Sequence, residues 1–302
     1  MNSIDAMAQD MEHQFVDLPA MPLPEPAQGT TILAGSGDSY AATLFAHYLS
    51  SGRVLCCHPA EIIANPAIAT GSSVYFVSIS GRTRANVLAA EAARRAGATT
   101  VAVTANAASP LVAACDGAFV LKFKSAGKTS GTIGFTASLL ACARIAANAA
   151  CPADLKSLYK EAARKASRLE DDVKTKSVVV LGDSILHSAA MYGALKLSEV
   201  FGSRATAYPL EDFCHAPLFG HKDDQVIILG GNDDVGISRR LKRAGLKTLH
   251  VDCRRYDGLG SMLYATFFMQ HLALAIARKK KMKECYFLQD RKLLGASSDI
   301  IY

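Results

Sequence analysis

Short apolar, β-branched runs that end in glycine or small polar residues recur along this chain, with alanine-rich stretches between them. That alternation restricts the chain to an α/β arrangement, because runs this short and apolar suit strands covered on both faces and the stretches between them suit crossover helices. TTILAGSGDSY at 30–40 leads into AATLFAHYLSS, VYFVSISGRT at 74–83 leads into ANVLAAEAARRAG, and TTVAVTAN follows at 99–106. After a charged helical stretch at 154–172 the pattern returns. SVVVLGDSILHSAAMYGAL at 177–195 repeats the first element, with Gly37-Asp38-Ser39 answered by Gly182-Asp183-Ser184, an offset of 145 residues. QVIILGGND at 225–233 answers VYFVSISG, and LKTLHVDC at 246–253 answers TTVAVTAN. Three correspondences in the same order predict two homologous α/β halves, 1–153 and 154–302, each a mostly parallel sheet flanked by helices in three layers. The boundary is expected near Cys151-Pro152.

Composition narrows the class further. The chain has 302 residues, half of them hydrophobic and a fifth charged, enough for about two domains of ordinary size. The apolar fraction excludes disorder, and the glycines show no period that a fibrous chain would need. No apolar run reaches the roughly 18 to 20 residues of a membrane span. MNSIDAMAQDMEH at the start has neither the basic residues nor the apolar stretch of a secretory signal, so a cytoplasmic setting and no membrane partner are expected. The eight cysteines form no CxxC pair and read as reduced, buried, small hydrophobes. Cys56-Cys57-His58 has the wrong spacing for a zinc knuckle, and no metal or cofactor is expected. Of the formal net charge of +6, +5 lies between Arg278 and Lys292, where seven basic residues meet two acidic ones. One basic cluster near the C-terminus without interleaved aromatics reads as a solvated helix end in a basic tail, and a nucleic-acid partner is not expected.

In open parallel sheets ligands bind beyond the C-terminal ends of the strands, where glycine-rich loops enter helices. Two such loops stand in the first half, Gly35-Ser36-Gly37-Asp38-Ser39 and Ser78-Ile79-Ser80-Gly81-Arg82-Thr83. Their small hydroxyl residues and accessible amides at a helix N-terminus suit a phosphate. Neither loop is a G-x-G-x-x-G dinucleotide fingerprint or a Walker A loop. Serine, threonine and glycine are also ordinary residues at such turns and caps, so each loop alone is weak evidence.

Together the loops carry a resemblance. SISGRT at 78–83 matches the S-x-S-G-x-T signature of sugar isomerase (SIS) domains, one strand–helix unit after GSGDSY. GALKLSEV at 193–200, EDFCHAPLF at 211–219 and the N-terminal MAQDMEHQFVDLP resemble segments of the isomerase half of the glucosamine-6-phosphate synthase family. The resemblance implies two flavodoxin-like SIS domains and a sugar phosphate as ligand. It implies that Ser39, Ser78, Ser80 and Thr83 hold the phosphate, with Ser36 and Asp38 beside them and Asp38 addressing sugar hydroxyls. LGGNDD stands where a second SISGRT would be, so one phosphate site per chain is expected.

The same resemblance implies that Glu199 is the catalytic base and that His215 assists ring opening. It further implies a homodimer in which His215 reaches the partner's site, and a sugar-binding role for Asp212. Read without it, Glu199 is a helix-surface acid in a solvated pair with Lys196, worth tenths of a kcal/mol. The family's Schiff-base lysine falls on Gly295, with Lys292 three residues earlier. No glutaminase domain precedes the first unit, so full synthase activity is not expected. Three functions stay open: an aldose–ketose isomerase of hexose 6-phosphates, a glucosamine-6-phosphate deaminase, and a non-catalytic sugar-phosphate sensor.

Overall fold

The computed structural model describes residues 1–302. In chain order its elements are α1 (Ser3–Asp17), β1 (Thr31–Gly35), α2 (Asp38–Leu49), β2 (Val54–Cys57), α3 (Pro59–Ala64), β3 (Ser73–Val77), α4 (Arg84–Arg95), β4 (Thr99–Thr104), α5 (Pro110–Ala114), β5 (Gly117–Val120) and α6 (Ile133–Ala147). There follow α7 (Leu155–Ser167), β6 (Ser177–Leu181), α8 (Ile185–Phe201), β7 (Arg204–Tyr208), α9 (Leu210–His215), α10 (Pro217–Gly220), β8 (Gln225–Gly230), α11 (Val235–Arg243), β9 (Lys247–Asp252), α12 (Gly258–Lys279), α13 (Tyr286–Gln289) and α14 (Arg291–Ile301).

Two compact units interleave in sequence. One contains Val16–Ser125, Ile133–Cys151 and Lys292–Tyr302; the other contains Met1–Phe15, Ala126–Thr132 and Pro152–Arg291. This division departs from a single cut at 153/154. Residues 1–15 do not lead into the first sheet but belong with the second, and Lys292–Tyr302 belong with the first. The reason lies in what the N-terminal helix touches. Its buried residues include Ile4, Met7 and Met11, a helical stripe, and Gln14 on the same face donates to the Gln270 side chain of α12 at 2.8 Å. Phe15 sits 5.1 Å from the ring of Tyr159 on α7, and the Ser3 hydroxyl accepts the Cys285 amide at 2.7 Å.

In the first-sheet unit the strand order is β2-β1-β3-β4-β5 and every pairing is parallel. Ile32, Val74, Phe76 and Ala102 pack with Ala89, Ala90 and Ala93 of α4, all buried. Small alanines on α4 let the helix lie close to the sheet, which is why an alanine-rich stretch serves as a crossover. The chain leaves β1 in one direction to reach β2 and returns on the other side to reach β3. That reversal of strand order is where a cleft opens in folds of this kind.

The second-sheet unit has the order β7-β6-β8-β9, again parallel throughout. Its strands were expected to be mostly parallel; here no antiparallel pair interrupts them. Val179, Leu181, Val226 and Ile228 form its core with Phe213, Leu241 and Leu246. α12 is this unit's central helix. It is long and apolar enough to cross a membrane by length and composition, contrary to the expectation that no such segment exists. Its apolar window is 89% buried inside the protein, so the apolarity is that of a core helix wrapped on all sides. The basic cluster that follows is not a free tail either. Lys279 pairs with Asp171, Lys280 donates to the Thr175 hydroxyl at 2.5 Å and lies 5.2 Å from the Phe201 ring, and the Glu284 carboxylate accepts the Ser3 amide.

One buried group in this unit gives stability a pH dependence. His271 on α12 stands 4.4 Å from the Tyr159 ring, and burial, then the neighbouring Arg278, push its imidazole down to about 4. His187 and His250 are shifted the same way, chiefly by burial. The unfolded chain therefore takes up a proton near the ordinary histidine value while the folded protein does not. Stability is whole above about pH 6.5 and falls as pH drops toward 4, with His271 contributing up to about 3 kcal/mol of that loss. Urea midpoints measured from pH 7 to 4 are expected to fall less steeply in His271→Gln than in wild type.

Candidate functional site

The two glycine-rich loops leave adjacent strand ends in the first-sheet unit. Gly35 at the end of β1 pairs with Val77 at the end of β3, so Ser36 and Ser78 open their loops side by side at the order reversal. The SISGRT loop is anchored from beneath. The Ser78 amide donates to the Val103 carbonyl at 3.0 Å, the Thr104 hydroxyl donates to the Ile79 carbonyl at 3.1 Å, and the Asn106 side chain to the Ser80 carbonyl at 3.4 Å. Within the loop the Gly81 amide donates to the Ser78 hydroxyl at 3.2 Å, and the Ser78 and Thr83 hydroxyls lie 3.3 Å apart. The Ser80 hydroxyl accepts the Arg82 amide at 3.3 Å.

Glycine is required at position 81. Its φ is +61°, and a β-carbon there would lie 2.1 Å from the Ser109 hydroxyl oxygen. Gly35 meets a similar restriction, since a β-carbon would come within 2.9 Å of Ser39.

The four hydroxyls expected to act as equals differ in their surroundings. Ser78 is buried and holds the turn, whereas Ser39, Ser80 and Thr83 are partly open. Thr83 is the N-cap of α4 but makes no side-chain cap, and the first turn of α4 has no acidic residue, so its amides are left for an anion. α2 begins after Gly37, which has no side chain to cap with, and Asp38 stands in its first turn. Ser36 is exposed. The exposed Arg82 adds positive charge, with its guanidinium 5.5 Å from the Tyr302 ring.

In the second-sheet unit the corresponding loops each carry an engaged carboxylate. In the loop after β6, Asp183 reaches across to accept the Leu210 amide at the start of α9 at 2.8 Å; in the loop after β8, Asp234 accepts the loop's own Gly231 amide at 2.7 Å. An incoming phosphate would meet negative charge in either loop.

Glu199 lies on α8, whose 17 residues carry only two ionisable charges besides His187: Lys196 and Glu199, on one face. The Lys196 side chain is fully buried and its Nζ donates to Glu199 Oε2 at 2.5 Å; the carboxylate itself is 36% exposed. The Ser130 hydroxyl donates to the same Oε2 at 2.6 Å. Lys196 Nζ also lies 5.1 Å from the Tyr192 ring, and Tyr192 is held by Gln270, which donates to its hydroxyl at 2.9 Å, and by its own bond to the Gly131 carbonyl at 2.8 Å. This is not the solvated surface pair that spacing alone suggests. Gly193 lets α8 lie close to α12, since a β-carbon there would come 2.8 Å from Met269. Sequence reasoning passed over Lys196 as a site residue, although a lysine set among alanine and leucine in an apolar helix was the signal.

The other expected residues are not gathered at Glu199. His215 ends α9 with its Nε2 3.7 Å from Glu211, and the two side chains are 75% and 89% exposed. Asp212 is exposed on the same helix, and neither it nor His215 bonds to Glu199. Phe219 beside them is 81% exposed. Lys292 is exposed on α14, and open space surrounds the backbone at Gly295.

Comparison with known proteins bears on this geometry. Residues 27–146 match the SIS domain family. That stretch holds both glycine-rich loops and the whole first sheet. The chain also resembles solved structures over nearly its full length. One is a glucosamine-6-phosphate deaminase from Thermotoga maritima, at 16% identity and a TM-score of 0.71, covering 93% of both chains. A second is the C-terminal domain of glucosamine-fructose-6-phosphate aminotransferase from Francisella tularensis, at 18% identity and 0.65, covering 94% of this chain and 95% of that one. A third is tagatose-6-phosphate ketose/aldose isomerase from Escherichia coli, at 18% and 0.66, covering 92% and 88%. At such identities the likeness is one of fold: two parallel sheets flanked by helices. No curated protein matches the chain.

Gly81→Ala is the sharpest probe of the loop. Strain at positive φ and the collision with Ser109 are expected to lower stability by about 1–3 kcal/mol, read as a shift of the urea midpoint. Gly97, also at positive φ but with nothing near its absent side chain, is expected to cost less on the same substitution.

Proposed function

We propose that this protein is a phosphosugar isomerase that interconverts aldose and ketose 6-phosphates of the glucose/fructose type. The observation that carries the reading is the state of Glu199. A half-open carboxylate is clamped on one oxygen by a buried ammonium and a serine hydroxyl, and both bonds fall on Oε2. Oε1 is thereby left to take a proton. Burying a lysine costs several kcal/mol unless its charge is matched, and the match here orients the Glu199 carboxylate. A mere helix-surface acid has no need of such support.

In this reading Oε1 of Glu199 removes the proton from C2 of the open aldose, and the electrons move into a cis-enediolate. Oε1 exchanges that proton with solvent before a proton is returned to C1, while the O2 hydroxyl proton passes to O1 and the carbonyl forms at C2, giving the ketose; the reverse reaction begins at C1. Lys196 positions the carboxylate. Ser39, Ser80 and Thr83 and the open amides of α4 are assigned the phosphate, with Ser78 shaping the loop and Ser36 and Asp38 addressing sugar hydroxyls. His215 is assigned to ring opening, because an imidazole titrates in the range where the O5 and O1 protons must be shuttled. The reading includes a homodimer, supported by the exposure of His215 and Phe219 on one short segment, with His215 serving the partner's site. It also includes a reducing, cytoplasmic setting, which the burial of Cys57, Cys115, Cys142, Cys253 and Cys285 as free thiols supports.

Proton NMR with fructose 6-phosphate in D2O, run beside glucosamine 6-phosphate, tests the reaction. An aldose 6-phosphate labelled with deuterium at C2 is expected. Release of ammonia and fructose 6-phosphate from the amino sugar would instead make the protein a deaminase, and binding without turnover of either would make it a sensor.

The roles are separable by mutation. Glu199→Gln is expected to lower kcat by about 10²–10⁴-fold with the KM for sugar phosphate little changed, the range that a single acid–base group supplies. Ser80→Ala is expected to raise KM more than it lowers kcat. Wild-type turnover in Glu199→Gln would remove Glu199 as the base.

A further inference from the structure

A cation-rich cavity lies in the second-sheet unit, apart from every residue assigned above. Its volume is about 450 Å³, in the range of small-molecule sites, and it opens between α7 and the connection from β9 to α12. α7 and the residue that caps its C-terminus line one wall with Arg164, Lys165 and Arg168; Arg255 lines the other. This is the C-terminal end of β9, the edge at which parallel sheets take ligands.

The cations fall into two groups. Arg255 is fully engaged: it pairs with Glu161 at 2.9 Å and with Asp252 at 3.6 Å, and its guanidinium lies 5.5 Å from the Tyr264 ring and 5.9 Å from the Tyr256 ring. The Tyr256 hydroxyl donates to Glu161 at 2.5 Å, and that bond, with help from Arg255, holds the Glu161 carboxyl below its ordinary range. Arg164, Lys165 and Arg168 have no ion-pair partner. Arg164 and Arg168 stand one turn apart on the same face of α7, a like-charge pair that costs a helix a few tenths of a kcal/mol. Four cations against two carboxylates leave the lining with a charge of +2.

We propose that this cavity is a second anion site that binds a phosphate monoester bearing hydroxyl groups. One phosphate dianion balances the lining charge, and the three unpaired cations of α7 meet its oxygens. The carboxylates of Glu161 and Asp252, fixed by Arg255, accept hydrogen bonds from the hydroxyls beside the phosphate. A bare anion would use only half of this lining. In the loop after β8, Asp234 takes the Gly231 amide, so the site lies elsewhere in the unit than the position of SISGRT in the first.

Calorimetric titration with glycerol 3-phosphate tests the site, using Ser80→Ala protein so that the SISGRT loop contributes little. Saturable binding near one equivalent is expected, stronger than that of inorganic phosphate and weakened at least tenfold in Ser80→Ala carrying Arg164→Gln and Arg168→Gln. Equal binding with and without the two arginines would overturn the proposal, as would the absence of saturable binding in Ser80→Ala. Both arginines are exposed, so the variants should fold, with circular dichroism as the check; Lys165→Gln serves as an independent variant. Turnover does not enter the readout, so failure here would leave the reading of Glu199 untouched.

Discussion

A parallel sheet must be covered on both faces, and every parallel pairing needs a crossover that returns the chain to the same end. In this protein that requirement sets almost everything else. It makes each strand short, apolar and followed by a helix, and it collects all the strand-to-helix turns of a sheet at one edge. The loops after β1 and β3 are neighbours there only because strand order reverses between them. Glycine at 35 and 81 then lets each turn close without a side chain between loop and helix. The chemistry of the first sheet is thus a consequence of how its strands are connected.

The second sheet has the same strand order over its four strands but uses the edge differently. Where the first sheet leaves helix amides open, the second spends Asp183 and Asp234 on its own amides. On α8 a lysine is buried completely against one carboxylate. The helices around it pack to that end: Gly193 admits Met269, Gln270 braces Tyr192, and Gln14 braces Gln270. The neutral hydrogen bonds from Gln14 through Gln270 to Tyr192 fix the ring that faces the buried ammonium.

The fold class and the two loops were legible because they depend on local pattern. Alternation of apolar runs with alanine-rich stretches marks strands and crossovers, and SISGRT keeps its signature within six residues. The misreadings share a cause, which is that burial is not a local property. α12 carries the composition of a membrane segment because it is surrounded by protein. The cluster from Arg278 onward looked like a solvated tail because its partners, Asp171, Thr175 and Ser3, are far off in sequence. The halves could not be cut at one point because residues 1–15 spend their apolar stripe on α7 and α12 rather than on the sheet they precede.

Sequence alone determined the α/β alternation and the place of the two glycine-rich turns, since each follows from residue type and short-range spacing. Tertiary structure decided what those side chains are. Spacing makes Lys196 and Glu199 a pair, but only tertiary packing turns an exposed pair worth tenths of a kcal/mol into a buried ammonium gripping a carboxylate. The same holds for α7, where three cations in a charged helix become a cavity wall because Arg255, some ninety residues onward, arrives opposite them already paired. Periodicity reports which face of a helix is apolar; it does not report what will cover that face, and the charge state and reach of a side chain depend on the cover.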